Sequence, residues 1–283
     1  MNSLLVKEIY SKVDKLNDGP MGLSEEDIEK TGEALKDALR HWANPTTPSS
    51  EFSIRMSNLG KPYRQMWFNK NRPANSARLT PQTFIKFLYG HLLEEVILML
   101  VRMTDNKVTD EQKEVVLEGI KGHIDCKING EVVDIKIASN FAFKKFAAGT
   151  LHEDDPFGYL MQLAAYETAE ESTAGGFLAL NKESGELAYY SPGELTKPNP
   201  ITKINNLREV LTEELPPEKC YESVPEGKQG NFKLPTGCVY CSHKQECWKD
   251  SNGGQGLRAF KYSVGVRYLT RVASLPKVDE IIL

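Results

Sequence analysis

The sequence contains no long apolar run. Its longest, residues 96–101, is much shorter than the roughly 20 residues that a membrane-spanning helix needs. The first 18 residues lack the apolar core found in export signals, so we expect no secretory signal. Cysteine is scarce and odd in number, with five in 283 residues, which argues against a disulfide framework. These absences predict a cytoplasmic protein with no membrane partner.

Acidic residues are absent from two long segments. Residues 52–93 carry seven Lys or Arg and no Asp or Glu, and residues 251–278 carry five and again no acid. The two segments together hold a charge of +12, so in a chain of net charge −4 the other 213 residues carry −16. This distribution predicts a face that binds a polyanion such as nucleic acid. The alternative is a chance cluster on a solvated surface.

The start of the chain has the pattern of two helices. Residues 4–16 form the first, and Ser24 is a favourable N-cap for a second that ends near Trp42, with three acids in its first turn. Residues 44–50 have the composition of a linker. We therefore expect a helical N-terminal extension over residues 1–43, which serves as scaffold.

A third helix is predicted to run from Thr80, as N-cap, and Pro81, at the first helical position, to about Met103. It is apolar over most of its circumference, so we expect it to be buried. Glu94 interrupts the apolar face, with Phe87 close to it on a helical wheel. A buried acid needs a partner, and that partner is either a functional site or a nearby Lys or Arg.

Residues 121–139 have the pattern of a β-hairpin. Asn129 and Gly130 are a preferred pair for a two-residue type I′ turn, because both positions need a positive φ. In the register set by such a turn, the numbers of facing residues sum to 259, so Asp125 faces Asp134. A three-residue loop would shift the register and make the two aspartates diagonal neighbours.

The facing carboxylates predict a metal site. The same register places His123 opposite Lys136, on the hairpin face that carries Asp134. Like charges about 5 Å apart destabilise a hairpin, and a divalent cation that prefers oxygen ligands, such as Mg²⁺ or Mn²⁺, removes that repulsion. The alternative is a surface hairpin with two solvated aspartates.

Further strands and helices follow the same mixed pattern. They are predicted over residues 112–118 (strand), 156–168 (helix), 175–181 and 186–191 (a second hairpin) and 201–213 (helix). The first of these helices carries Gln162 and Tyr166 on one face. Residues 216–237 are rich in loop-forming residues. The whole pattern predicts an α/β fold with a mixed β-sheet flanked by helices.

The order of these motifs resembles that of the PD-(D/E)XK nuclease superfamily, especially its RecB-like and phage-encoded exonuclease branches. The resemblance covers roughly residues 53–248. The matching residues are Glu94, Gly122, Asp125, Asp134, Ile135, Lys136, Gln162 and Tyr166. Many RecB-like members have His where Glu94 stands, whereas relatives similar to viral exonucleases have Glu. The resemblance implies a restriction-endonuclease-like core.

The resemblance also implies a role for each site residue. The Mg²⁺ or Mn²⁺ ligands would be Glu94, Asp125, Asp134 and the Ile135 carbonyl. Lys136 would orient the attacking water, help to deprotonate it and offset charge on the scissile phosphate. Gln162 and Tyr166 would position the substrate or the metal-bound water.

Three cysteines near the C-terminus resemble those of iron–sulfur members of the superfamily. They are Cys238, Cys241 and Cys247. Those members have a fourth cysteine ahead of the nuclease core, at the position of Lys61 here. Cys220 is a candidate fourth ligand and His243 a second one, for a [4Fe–4S] cluster or Zn²⁺. The alternative is four reduced thiols. Cys126 is expected to be a packed thiol.

The residues and the resemblance together predict a divalent-metal-dependent deoxyribonuclease of exonuclease type. Its substrate would be single-stranded DNA or a duplex end. Its location would be the cytoplasm, that of the host if a phage encodes the protein. Residues 52–250 would form the nuclease domain and residues 251–283 a basic tail. Phosphate contacts are predicted for Arg55, Lys61, Arg64, Arg72, Lys144 and Lys145. The alternatives are a non-catalytic nucleic-acid-binding module on a nuclease fold, and a metal-dependent enzyme acting on small phosphorylated substrates.

Overall fold

The structure, a computed structural model, describes residues 4–45, 52–73, 80–193 and 197–282. Arg78 and most of the predicted linker lie outside the described residues. The chain divides into two compact units. The first contains Met1–Gly60 and Leu79–Ile204, and the second contains Lys61–Arg78 and Asn205–Leu283.

The helices agree with the sequence pattern in most of their bounds. The main ones, in chain order, are α1 (Leu4–Asp14), α2 (Glu25–Ala43), α3 (Tyr63–Asn71), α4 (Pro81–Arg102), α5 (Asn140–Ala148), α6 (Tyr159–Ala169), α7 (Pro200–Val210) and the one-turn helices α8 (Thr236–Val239) and α9 (Lys244–Cys247). Both predicted N-caps are confirmed: the Ser24 side chain accepts from the Asp27 N–H, and the Thr80 side chain accepts from the Thr83 N–H. Among the described residues, every helix lacks the length or the continuous apolar surface that a membrane span requires.

A mixed β-sheet forms the centre of the first unit. Its strands in chain order are β1 (Val108–Thr109), β2 (Glu114–Leu117), β3 (Ile120–His123), β4 (Cys126–Ile128), β5 (Glu131–Ala138), β6 (Gly176–Asn181) and β7 (Leu187–Tyr190). Within the described residues, β1, β4, β5, β6 and β7 make one sheet in that order, and β2 pairs with β3. β5 and β6 are parallel, whereas β6 and β7 form the predicted antiparallel hairpin. The mixed sheet with flanking helices confirms the predicted fold class.

One apolar core joins α1 and α4 to this sheet. Its fully buried members include Leu5, Ile9, Ile97, Leu98, Val101, Ile128, Val133 and Leu178. Cys126 lies in the same cluster, and burial raises the pKa of its thiol. The prediction of a packed thiol there is confirmed.

The prediction that α4 is buried along its length is wrong for its N-terminal half. Phe84, Phe87 and Tyr89 are 46%, 51% and 51% exposed, whereas Ile97 and Val101 are almost fully buried. Only the turns from Ile97 onward reach the core that α1 and the sheet share. The earlier turns therefore present large apolar side chains to solvent.

The second unit has its own antiparallel sheet. Its strands in chain order are β8 (Val224–Glu226), β9 (Asn231–Lys233), β10 (Arg258–Tyr262), β11 (Gly265–Arg271) and β12 (Glu280–Ile281). Within the described residues the sheet order is β12, β10, β11, β9, β8. The predicted loop-rich region thus contributes a hairpin, and the predicted basic tail contributes three strands. Glu226 stabilises this sheet through ion pairs with Lys233 and Arg267.

Candidate active site

The β4–β5 hairpin has the predicted two-residue turn. Asn129 and Gly130 both have positive φ angles, 53° and 86°, and the register pairs Cys126 with Val133 and Ile128 with Glu131. Both residue pairs sum to 259, which confirms the predicted register. Continuing this register by one residue places Asp125 opposite Asp134.

The predicted pairing of His123 with Lys136 is wrong. β4 begins at Cys126, and His123 instead lies opposite Glu114 in the β2–β3 ladder. The chain leaves the hairpin here because the backbone of residues 124–125 bonds elsewhere. The N–H of Ile124 donates to the carbonyl of Lys113, and the carbonyl of Asp125 accepts from the N–H of Gln112.

Buried Asp134 and partly buried Lys136 form an ion pair on β5. The Asp134 side chain is 1% exposed, and its Oδ2 lies 2.5 Å from Lys136 Nζ. Within the described residues, Asp134 Oδ1 has no hydrogen-bond partner, although it is fully buried. Lys136 Nζ also lies 4.8 Å from the centre of the Tyr159 ring. A buried carboxylate oxygen without a partner is costly unless a cation occupies the space beside it.

Glu94 on α4 is the third carboxylate of the cluster. Its Oε1 accepts a hydrogen bond from Gln112 Nε2 at 2.8 Å. This hydrogen-bond partner is a neutral amide and does not compensate the charge of the carboxylate. Burial, aided by the charges of Asp125, Glu95 and Asp134, raises the pKa of Glu94 to about 8. Burial and the charge of Asp134 raise the pKa of Asp125 to about 7. The three carboxylates therefore repel one another across a poorly solvated space.

Lys136 compensates part of this repulsion. Burial alone would lower the pKa of its ammonium group, but the carboxylates of Asp134 and Asp125 outweigh burial and raise that pKa. Burial likewise raises the pKa of Asp134, against the influence of Lys136. In the metal-free protein Lys136 is therefore a protonated lysine held against carboxylates.

The predicted pair on α6 lies beside the same cluster. Gln162 Nε2 lies 3.0 Å from the Tyr166 hydroxyl. Burial, with a contribution from the charges of Asp134 and Asp125, raises the pKa of Tyr166 to about 12. The Tyr166 ring packs so closely on Gly122 that an added Cβ there would lie 2.8 Å from it. The absence of a side chain at Gly122 thus allows α6 to pack closely on β3.

The donor set fits a hard divalent cation. Glu94, Asp125 and Asp134 supply oxygen ligands of the kind that Mg²⁺ and Mn²⁺ prefer, and Asp134 Oδ1 is free to bind one. In the described part of the chain, no three His, Cys, Asp or Glu side chains are already arranged as a metal site. Instead, Gln112 contacts Glu94 and Lys136 contacts Asp134. A bound cation would have to displace these two side chains or share the carboxylates with them.

Sequence reasoning missed two residues of this site. Tyr159, under Lys136, stands three residues before Gln162 and seven before Tyr166, so helical spacing along α6 could have indicated it. Gln112 gave no such signal. It lies in a turn with a φ of 53°, and only the folded chain brings it to Glu94.

The four predicted cysteine ligands gather in the second unit. Cys220, Cys238, Cys241 and Cys247 line one pocket. Burial, with the charges of neighbouring cysteines, raises the pKa of Cys238 to about 12 and also raises the pKa values of Cys220 and Cys241. Burial thus favours neutral thiols here, and a soft cation would have to stabilise their thiolates on binding. Among the described residues, these cysteines are not already arranged as a metal site.

Other residues of this pocket are already engaged. His243 Nε2 lies 2.7 Å from Asn69 Oδ1, and its ring stacks on Phe68. Arg64 Nε donates to Cys247 Sγ at 3.2 Å, and its guanidinium group lies over the same Phe68 ring. Lys61 is close enough to lower the pKa of His243, after the larger influence of burial. The His243 ring is thus held by two neighbours of the same unit.

The predicted phosphate-binding residues are distributed over both units. In the first unit Arg55 and Lys144 are exposed, whereas Lys145 Nζ is 2.5 Å from Asp154 Oδ2. In the second unit Arg72 is exposed. Lys61 and Arg64 instead belong to the surroundings of the cysteine pocket.

Fold and site together define a mixed α/β protein with three carboxylates and a lysine clustered at its central hairpin. No protein-family model matches the chain, and no curated protein matches its sequence. Among solved structures, SSO0001 is similar over 75% of this chain and 93% of that chain, with 14% identity and a TM-score of 0.40. A phage-related exonuclease from Haemophilus somnus 129PT is similar over 57% of this chain and 92% of that chain, with 13% identity and a TM-score of 0.39. Both TM-scores are below 0.5, so neither likeness supports a conclusion about activity.

Proposed function

We propose that the protein is a divalent-metal-dependent DNA nuclease of the PD-(D/E)XK type, an exonuclease that hydrolyses phosphodiester bonds in DNA processing, recombination or degradation. The observation that carries the proposal is the placement of Asp134 opposite Asp125, with Glu94 and Lys136 beside them. Carboxylates on a solvated surface hairpin would keep ordinary pKa values, whereas those of Glu94, Asp125 and Asp134 are all raised. The proposed location is the cytoplasm, that of the host if a phage encodes the protein.

A divalent cation bound by Glu94, Asp125 and Asp134 would supply a water of lowered pKa and would polarise the scissile phosphate. The protein's own residues set the geometry of that chemistry. The backbone N–H of Ile135 anchors Asp125, and Gln112 orients Glu94 before a cation displaces it or shares the carboxylate. The Ile135 carbonyl, as a further oxygen ligand, remains part of the proposal.

Lys136 would act on the phosphate. Its raised pKa keeps it protonated while the carboxylates are uncompensated, and an ammonium group offsets the charge that develops on phosphate oxygens. A role in deprotonating water requires that the bound cation neutralise Asp134 and Asp125 first, since those charges raise its pKa. Gln162 and Tyr166 then position the water or the substrate from α6.

We also propose that Cys220, Cys238, Cys241 and Cys247 hold one metal centre, either a [4Fe–4S] cluster or Zn²⁺. Its support is their common pocket, together with the two-residue spacing between Cys238 and Cys241. Four thiolates satisfy both kinds of centre. Metal-binding energy would then contribute to the folding of the second unit.

Digestion of end-labelled linear DNA and of circular DNA tests the nuclease proposal. We expect degradation of linear DNA from an end with Mg²⁺ or Mn²⁺, none with EDTA, and resistance of intact circles. Cleavage of circles would show an endonuclease. DNA binding without cleavage under any metal would favour the alternative, a non-catalytic binding module.

A further inference from the structure

An open groove runs from the exposed half of α4 into the carboxylate cluster. Its lining includes Trp42 from α2, Phe84, Phe87 and His91 from α4, and the acids Glu94 and Asp125. Trp42 Nε1 donates to the carbonyl of Phe84 at 2.9 Å, which fixes the indole at the groove wall. Aromatic rings and candidate metal ligands therefore share one continuous surface.

The aromatic rings of this groove are presented at a helical spacing. Phe84, Phe87 and His91 precede Glu94 by ten, seven and three residues, so all four lie towards one side of α4. At about 1.5 Å per residue, Phe87 lies roughly 10 Å and Phe84 roughly 15 Å along the helix from Glu94. These lengths match about three to four stacked nucleotides at roughly 3.4 Å each.

The charges of the groove favour bases over phosphates. Its lining contains Asp37, Glu94, Glu95 and Asp125, and within the described residues it contains no Lys or Arg. Phosphates are repelled by such a lining except where a cation sits. Ring faces, in contrast, bind the faces of bases whatever their sequence. A strand lying here would place its bases on the rings and its phosphates outward, apart from the one at the site.

We propose that this groove binds unpaired nucleotides next to the scissile phosphate, with bases stacked on Phe84 and Phe87. The substrate at the site is then a single strand or a single-stranded end, since bases paired in a duplex have no free face to offer. This inference rests on the proposed nuclease function, because it is the continuity with Glu94 and Asp125 that assigns DNA as the occupant.

Binding to a fluorescent oligothymidine and to a blunt duplex, with Ca²⁺ in place of Mg²⁺, tests the inference. We expect Phe84→Ala and Phe87→Ala each to weaken single-strand binding about tenfold. The matched control is Tyr89→Ala, because Tyr89 is as exposed as Phe87, at 51%, but does not line the groove. It should change binding less than twofold. Thermal unfolding of each variant checks that the fold is intact.

A second pair of variants separates stacking from general apolar contact. Phe87→Trp keeps an aromatic face and should retain single-strand binding, whereas Phe87→Leu keeps apolar bulk and should lose it. Equal losses in both would overturn the inference. Sedimentation gives a second test. If the parent protein is a dimer and the Phe84→Ala, Phe87→Ala double variant is a monomer, a second copy of the chain covers the groove and the inference is wrong.

The outcomes for groove and nuclease are distinguishable. If the parent protein cleaves DNA but the phenylalanine variants bind single strands as it does, the groove inference is wrong and the nuclease stands. If single-strand binding depends on both phenylalanines but no metal gives cleavage, the groove binds bases and the nuclease proposal fails.

Discussion

The backbone N–H of Ile135 donates to Asp125 Oδ2 at 2.6 Å, across the hairpin and beyond the end of β4. This bond anchors Asp125 to the strand that carries Asp134, although Asp125 itself lies just before β4, which begins at Cys126. A backbone donor cannot rotate away as a side chain can. The bond therefore keeps the Asp125 carboxylate close to β5, the strand that carries both Asp134 and Lys136.

Loss of any member of the cluster should abolish cleavage. We expect Asp134→Asn, Asp125→Asn, Glu94→Gln and Lys136→Ala each to reduce the rate about a thousandfold or more, because metal binding and charge stabilisation contribute several kcal/mol. Double variants should be little worse than single ones, since the residues act as a unit. Single-turnover cleavage of a labelled strand measures this. Glu114→Gln, at an exposed acid of the neighbouring ladder, is the matched control. Full activity in Asp134→Asn would refute the nuclease assignment.

The metal-free protein should lose stability as the pH rises. The pKa of Glu94 is about 8 in the folded protein against an ordinary 4.5, and that of Asp125 is about 7 against 3.8. The folded protein therefore holds protons that the unfolded chain releases, and stability falls as the pH rises from 3.8 to about 8. Thermal unfolding in EDTA should show a midpoint that declines over this range.

Two changes should reverse that decline. Glu94→Gln removes one of the repelling charges, so it should raise the unfolding midpoint at pH 8 and flatten its pH dependence. Mg²⁺ should stabilise the parent protein at pH 8 and have little effect at pH 5.5, where protons compete for the ligands. Glu33→Gln, at an exposed residue of α2, should behave as the parent. A midpoint that rises with pH in EDTA would contradict this account.

The hairpin could be predicted from sequence because its information is local. Asn129 and Gly130 determine the turn, the turn sets the register, and the register brings Asp125 to Asp134. The register does not extend to His123, because residues 124 and 125 form hydrogen bonds with residues 112–113, which the hairpin pattern does not contain.

Other features depend on how far an element extends beyond its partners. The apolar circumference of α4 predicts a buried helix, but the pattern carries no information on where the sheet ends, so the exposure of Phe84 and Phe87 could not be predicted. Similarly, the charge of Arg64 predicts a phosphate contact. Its position beside Cys247 results from long-range packing within the second unit.

Exposed basic residues should bind phosphates without reading sequence. Arg55, Arg72 and Lys144 are the exposed members of the predicted set. In Ca²⁺, the logarithm of the binding constant should fall linearly with the logarithm of salt concentration, and each Ala variant should reduce that slope by about 0.7 to 0.9. Lys36→Ala, at a lysine paired with Glu33 on α2, is the control. A parent protein whose DNA binding is independent of salt would exclude phosphate contacts by these residues.

The cysteine pocket should yield one metal centre per chain. Anaerobic purification followed by an absorbance spectrum and metal analysis distinguishes the candidates. Broad visible absorbance with about four irons indicates a [4Fe–4S] cluster, whereas a colourless sample with one zinc indicates a structural zinc site. Cys241→Ser should lose the metal, because the remaining ligands cannot complete four thiolates.

The matched control is Cys126→Ser, since Cys126 is buried in the core of the first unit and does not line the cysteine pocket. It should keep the metal content of the parent protein. Metal loss in Cys241→Ser should also destabilise the second unit, because metal-binding energy would contribute to its folding. Limited proteolysis over residues 216–247 detects this as faster cleavage than in the parent. A folded, active protein that contains neither iron nor zinc would show that the four cysteines are reduced thiols gathered by packing.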